Sequence, residues 1–299
     1  MEYFLQQFLN ALSVGGEYAL LALGLAIVFS VMGLVNFAHG ELISLGGYAM
    51  YLVFLFAAPP IALLIPICIC AAMLSAITFE RVAFRPVRNA PPTTGLLTAF
   101  GVSIVVQNIL VIFVATRPKP VPTPSWMGGS LEIGNLNIPV VQALETAVTI
   151  IAITGLLLLL RKTKIGLAMR AAAKDFVTVR MMGIRANRVI MTAFAVSGML
   201  AGIAAVFIIS RRGVVDPFMG FLPVLKAFVA CVLGGFGSLI GAVVGGIVLG
   251  GAEVFLQAFL PSDIAGFRDA FVFLLVGLVL VAKPEGLMGT KAELGDKDE

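Results

Sequence analysis

The stretch GLVNFAHGELISLGGY, residues 33 to 48, carries an amide, an imidazole and a carboxylate at Asn36, His39 and Glu41, and His39 is the only histidine in the chain. Such groups can bind a cation, hold a polar solute or pass a proton. Their surroundings are apolar, and an ionisable side chain at the centre of a bilayer costs about 2.5–3.5 kcal/mol on insertion scales, so it usually faces a bundle interior or a wet cavity. Two readings follow. Glycines at 33, 40, 46 and 47 suit an interrupted helix that forms part of a pathway or gate. The same residues suit a structural elbow joining two spans at the membrane edge. His39 and Glu41 are two positions apart and would diverge on a helix, which argues against concerted acid–base work.

Further polar residues interrupt the apolar background at Glu17, Gln107, Asn108, Lys226 and Glu253. A Glu17–Lys226 or Glu253–Lys226 pair would neutralise charge inside the bundle. Lys226 opens the run into the glycine-rich segment, so it joins Gly234, Gly235, Gly237 and Ser238 as candidates for the pathway or gate. Glu17, Gln107, Asn108, Lys226 and Glu253 are each read first as polar glue between helices. Cys68, Cys70 and Cys231 lie in apolar runs with no further Cys or His cluster to complete a metal site, and read as packing groups. There is no H-E-x-x-H and no catalytic set, so the chain is not expected to be an enzyme.

The elements that must position these groups follow from composition. Of 299 residues, 60% are hydrophobic and 12% charged, against about 45–50% apolar and about 25% charged in soluble domains. This is a polytopic membrane protein. Runs such as 147–160 show no alternation of apolar and polar residues, which excludes a transmembrane barrel and leaves an all-α bundle. At about 20 residues per span, roughly eight to ten spans fit. Apolar segments lie near 10–32, 40–58, 60–79, 93–115, 140–160, 189–209, 222–236, 238–260 and 264–282. Residues 1–282 read as a single transmembrane domain and 283–299 as a polar tail. The first ten residues contain no Lys or Arg, so no cleaved signal is expected.

Charge sets the expected orientation. Residues 161–188 hold eight Lys or Arg beside Asp175, and ERVAFRPVRNAPP at 80–92 adds three Arg. Short basic loops stay cytoplasmic. The proline-rich loop 116–139 is then outside, as extended, semi-rigid backbone, with the N-terminus outside and the tail inside. Arg211 and Arg212 are the exceptions this scheme leaves outside.

Two patterns remain. VMGLVNFAHG (31–40) and VLGGFGSLIG (232–241) echo one another, and each precedes a glycine pair, at 46–47 and 245–246. Such glycine-interrupted segments point to a translocation site or simply to close helix packing. In the basic segment, Ile165, Met169, Ala172, Phe176, Val179 and Gly183 form one helical stripe, with Gly183 as a C-cap. A basic amphipathic helix of this kind docks on a protein groove or lies on anionic lipid.

NFAHGELISLGGYAM (36–50), RAAAKDFVTVRMMGIRANRVI (170–190) and DPFMGFLPVLKAFVACVLGGFGSLIGAVVGGIVLGGAE (216–253) resemble the permease subunits of ABC importers for branched-chain amino acids, in the order and spacing of the LivH-type branch. The resemblance implies a cytoplasmic segment from Gly166 to Gly183 that docks into an ATPase, with Arg170, Lys174, Asp175 and Gly183 on its motif. It implies as partners a second, LivM-like permease, two ATPase subunits, an extracytoplasmic solute-binding protein and the lipid bilayer, with no nucleic acid. It implies residence in a bacterial or archaeal inner membrane, and uptake of leucine, isoleucine and valine, or in near relatives of urea, short amides and other small solutes. G-x-x-x-x-G-K-[ST] is absent, so the chain needs no cofactor of its own and partner subunits would hydrolyse ATP. The reading of another class is a stand-alone secondary transporter or channel, with Glu17, Glu41 and Glu253 as the coupling carboxylates.

Overall fold

Helix α1 runs from Glu2 to Met32 and stops where Gly33 takes a φ of +67°, a left-handed conformation that side-chain-bearing residues rarely adopt. This is a computed structural model, and it describes residues 2–289 apart from 58, 89, 115, 134–135, 175–178, 180 and 262. After α1 come α2 (His39–Ala57), α3 (Leu64–Phe79) with a π-helical turn at Glu80–Phe84, and α4 (Pro92–Phe113). Strands β1 (Lys119–Pro120), β2 (Ser130–Ile133) and β3 (Leu136–Pro139) precede α5 (Val140–Lys162) and the short α6 (Lys164–Lys174). The chain ends with α7 (Ala186–Arg212), β4 (Val214–Val215), α8 (Phe221–Gly234), α9 (Leu239–Phe259) and α10 (Arg268–Ala282).

Eight helices among the described residues are long and apolar enough to cross a membrane, which makes this a multi-pass helical membrane protein. The 222–236 segment is the shorter α8, of 14 residues, and falls outside that set.

The residues cluster into two compact units, 1–26 with 126–150 and 226–299, and 27–125 with 151–225. In the second, α2, α3 and α7 pack through small residues. A Cβ at Gly198 would meet the backbone of Ala72 and Met73, one at Gly202 the backbone of Ile69, and one at Gly46 the Cys68 side chain. Helices can approach this closely only where side chains are missing. Cys68 is buried there, whereas Cys70 is exposed on α3, contrary to the sequence expectation. At one end of this unit Gly213 (φ +67°) caps α7 and leads into β4, which pairs antiparallel with β1. The loop after α4 and the end of α7, with Arg211 and Arg212, therefore lie on the same side of this unit.

In the other unit, α8 and α9 form a tight hairpin. Gly235 (φ +106°) and Gly237 (φ +87°) make the turn, and Ser238 caps α9 by accepting from the Gly241 amide at 3.0 Å. Gly245 abuts Ala230 of α8, while Gly246 and Gly250 abut Ala19 and Gly15 of α1. Strands β2 and β3 pair as a hairpin, in place of the extended loop expected from the prolines. The segment after α10 folds back on this hairpin, where the Leu287 and Met288 amides donate to the Leu233 and Gly234 carbonyls at 2.8 and 3.0 Å. Two carbonyls that the last turn of α8 leaves without helical partners are satisfied in this way.

Candidate functional site

The elbow 33–38 ends in a tight turn, with the His39 amide donating to the Asn36 carbonyl and the Glu41 amide to Ala38, each at 3.1 Å. It presents Asn36, His39 and Glu41 inward, with exposures of 2%, 0% and 1%. Gly40 lets the first turn of α2 meet the Gly220 backbone, where any side chain would collide. His39 and Glu41 diverge, as their spacing requires. The His39 Nδ1 lies 3.0 Å from Ser197 Oγ on α7. Glu41 turns to α4, where its Oε1 accepts from Ser103 Oγ and from Gln107 Nε2, both at 2.7 Å. Asn36 Oδ1, His39 Nε2 and Glu41 Oε2 are buried without a hydrogen-bond partner among the described residues. Gln107, read only as an interruption of its span, is thus a partner of Glu41, while Asn108 returns its amide to the Ile104 carbonyl of its own helix.

A second buried cluster gathers around Glu253 on α9. Its Oε2 accepts from Tyr18 OH at 2.6 Å, and its Oε1 from Lys226 Nζ at 2.7 Å and Arg268 at 3.1 Å. Asp269 closes the ring by meeting Lys226 and Arg268, each at 3.3 Å. Lys226 Nζ also stands 5.5 Å from the Tyr18 ring centroid, a cation–π distance. Two cations and two carboxylates alternate, so the group carries no net charge. Of the pairings anticipated for Lys226, the structure forms the one with Glu253. Tyr18, Arg268 and Asp269 carry no local signal of this ring, since they come from distant stretches of chain. Gly234, Gly235, Gly237 and Ser238 lie in the α8–α9 turn, where they shape the hairpin.

The third feature is α6, folded back on the end of α5. A Cβ at Gly166 would run into the backbone of Leu159 and Leu160, so glycine is required there. The Gly166 amide donates to Thr163 Oγ1 at 3.0 Å. Met169 and Ala172 are buried; Arg170 and Lys174 are exposed. Ile165 is 52% exposed beside Leu167 at 61%, and the inward position falls to Gly166. Gly183 is exposed with a φ of +78°, as a helix-ending glycine requires. Asp175 and Phe176 lie outside the described residues. At the start of α7, Arg88 bonds both Glu80 and Asn187, tying the π-helical turn to the helix that follows α6. Burial lowers the Arg88 pKa below its ordinary value, against the pull of Glu80.

The chain is similar to known proteins along most of its length. Residues 7–282 match the family described as branched-chain amino acid transport system, permease component. The chain is 35% identical over 298 residues to the high-affinity branched-chain amino acid transport system permease protein LivH of Salmonella typhimurium, covering 96% of each. It is 35% identical over 300 residues to BraD of Pseudomonas aeruginosa, of the same description, again covering 96% of each. A probable LivH of the archaeon Methanocaldococcus jannaschii is 27% identical over 280 residues, covering 90% of this chain and 88% of that one.

Proposed function

This chain belongs to the branched-chain amino acid transport permease family, and on that premise we propose that it is the membrane-spanning subunit of an ATP-driven importer for leucine, isoleucine and valine. The observation that carries the reading is α6. It is too short and too polar to span, it stands between two spanning helices, and it leaves Ile165, Leu167, Arg170 and Lys174 uncovered. A mixed apolar and cationic face of this kind suits a groove on an ATPase. The chain itself lacks a phosphate-binding loop, so the energy has to enter through such a partner.

The basic segments 80–92 and 161–188 support a cytoplasmic α6 and C-terminus and an extracytoplasmic N-terminus, in a bacterial or archaeal inner membrane. The partner set is two ATPase subunits, a second permease of the LivM type and an extracytoplasmic solute-binding protein. Closure of the ATPases displaces α6, with Gly166 holding its start against α5 and Gly183 fixing the turn further along the segment. Arg170, Lys174 and Asp175 supply charged contacts. Asn36, His39, Glu41, Lys226, Gly234, Gly235, Gly237 and Ser238 are the chain's candidates for the pathway or gate.

Purification of a tagged chain in mild detergent tests this reading. The expected result is co-purification of a second permease and of ATPases with a phosphate-binding loop. Gly183→Val forces a branched side chain into a left-handed conformation, at a cost of about 1–2 kcal/mol. That variant is expected to insert normally and to hydrolyse ATP with little uptake. Uptake that survives ATP depletion and collapses with the membrane potential would overturn the reading and make the chain a self-contained carrier.

A further inference from the structure

We infer that the Glu41 carboxylate receives the primary ammonium group of the transported solute, an inference that rests on the importer function proposed above. The buried carboxylates of this protein do not share one environment. Glu253 meets Lys226 and Arg268, and Glu80 meets Arg88. Glu41 is as buried as these, yet its partners are the neutral Ser103 and Gln107, both on Oε1. Its Oε2 has none among the described residues.

Removing one partner of a buried charge pair is strongly destabilising because the other charge is left uncompensated. Glu41 is held in that condition by the fold itself. Two donors on one oxygen and none on the other leave the second oxygen of the carboxylate bare. What completes it is a donor, and a cationic donor also offsets the charge. Asn36 Oδ1, a second bare acceptor, lies on the same elbow.

The surroundings narrow the chemistry of the occupant. Phe100, Ser103 and Gln107 are spaced three and four apart on α4, so they share one helix face. Phe100 stacks on Phe37 of the elbow, with ring centroids 4.8 Å apart. An apolar ring pair therefore shares the α4 face whose polar groups hold an acceptor that lacks a cation. That combination fits a primary ammonium on an apolar skeleton. It does not fit urea or a short amide, which bring no positive charge.

The test uses the whole importer in proteoliposomes with its partner subunits and leucine-loaded binding protein. Wild type is compared with Glu41→Gln and with the double variant Glu41→Gln/Gln107→Glu, which moves the carboxylate across one hydrogen bond onto α4. In Glu41→Gln, leucine uptake per ATP hydrolysed is expected to fall about ten- to hundredfold, the effect of losing one charge-assisted hydrogen bond. ATP hydrolysis stimulated by the binding protein should persist, and the double variant should recover part of the uptake.

Uptake by Glu41→Gln within about twofold of wild type, less than the loss of a neutral hydrogen bond would cause, overturns the inference. So does a wild-type requirement for sodium, seen by exchange for choline, which would assign Oε2 to a metal cation. If Glu41→Gln fails to assemble, the double variant decides: an assembled importer with no leucine uptake also overturns it. A wild-type importer that takes up no leucine at all removes the importer reading itself, and the inference with it.

Discussion

Lys226 and Arg268 each touch both Glu253 and Asp269, so no charge in that ring depends on a single partner. The Lys226 and Glu253 side chains are only 12% and 8% exposed, which puts their pairing in the regime where breaking is costly. Lys226→Met is expected to destabilise the protein by about 3–5 kcal/mol. Lys226→Met combined with Glu253→Gln should cost less than the sum of the single changes, since it leaves a smaller uncompensated charge. Thermal unfolding of the four proteins in detergent, read as a double-mutant cycle, measures the coupling. Much of this chemistry is legible in the sequence, because Lys226 and Glu253 are charges that an apolar run has to neutralise. Arg268-Asp269 is not, because an adjacent cation and anion at a helix start read as an ordinary polar boundary. Tyr18 gives still less warning, since an apolar ring with one hydroxyl fits any span.

At the scale of elements, the breaks were easier to read than the faces. Gly33, Gly183, Gly235 and Gly237 all adopt positive φ, and each stands where a helix ends or turns. The echo between 31–40 and 232–241 has a matching local geometry: a helix, a break with a left-handed glycine, and a second helix carrying a closely packed glycine pair. Faces are harder because in a membrane helix apolar residues line both the protein side and the lipid side, so hydropathy does not separate them. Cys70 is an instance. The β2–β3 hairpin was masked by the prolines before it, although Gly134-Asn135 between two short runs is a recognised turn signal. The α3–α7 contact carries a prediction. Gly202→Leu places a branched side chain against the backbone of Ile69. Overpacking of this kind costs about 1–3 kcal/mol, so the variant should unfold at lower temperature, whereas a leucine at Gly101, which faces open space, should not change the midpoint.

For the whole molecule, the notable property is how the chain is distributed. One unit is assembled from the first 26 residues, a middle stretch and everything after 225. Its α1–α9 seam brings Gly15 and Ala19 against Gly250 and Gly246, and joins Tyr18 to Glu253 across 235 positions of sequence. That separation has a consequence for how the protein is made. At about 5–20 residues per second, roughly ten to fifty seconds pass between synthesis of α1 and of its partner helix. Throughout that interval α1 is in the membrane with the seam of Gly15, Tyr18 and Ala19 uncovered. A hydroxyl facing lipid without its acceptor is costly, so the nascent chain needs this face of α1 shielded until α9 arrives. Site-specific crosslinks from position 18 are therefore expected to reach the insertion machinery in chains stalled before residue 239, and to disappear once α9 has entered. The first helix written in this sequence is among the last to find its place.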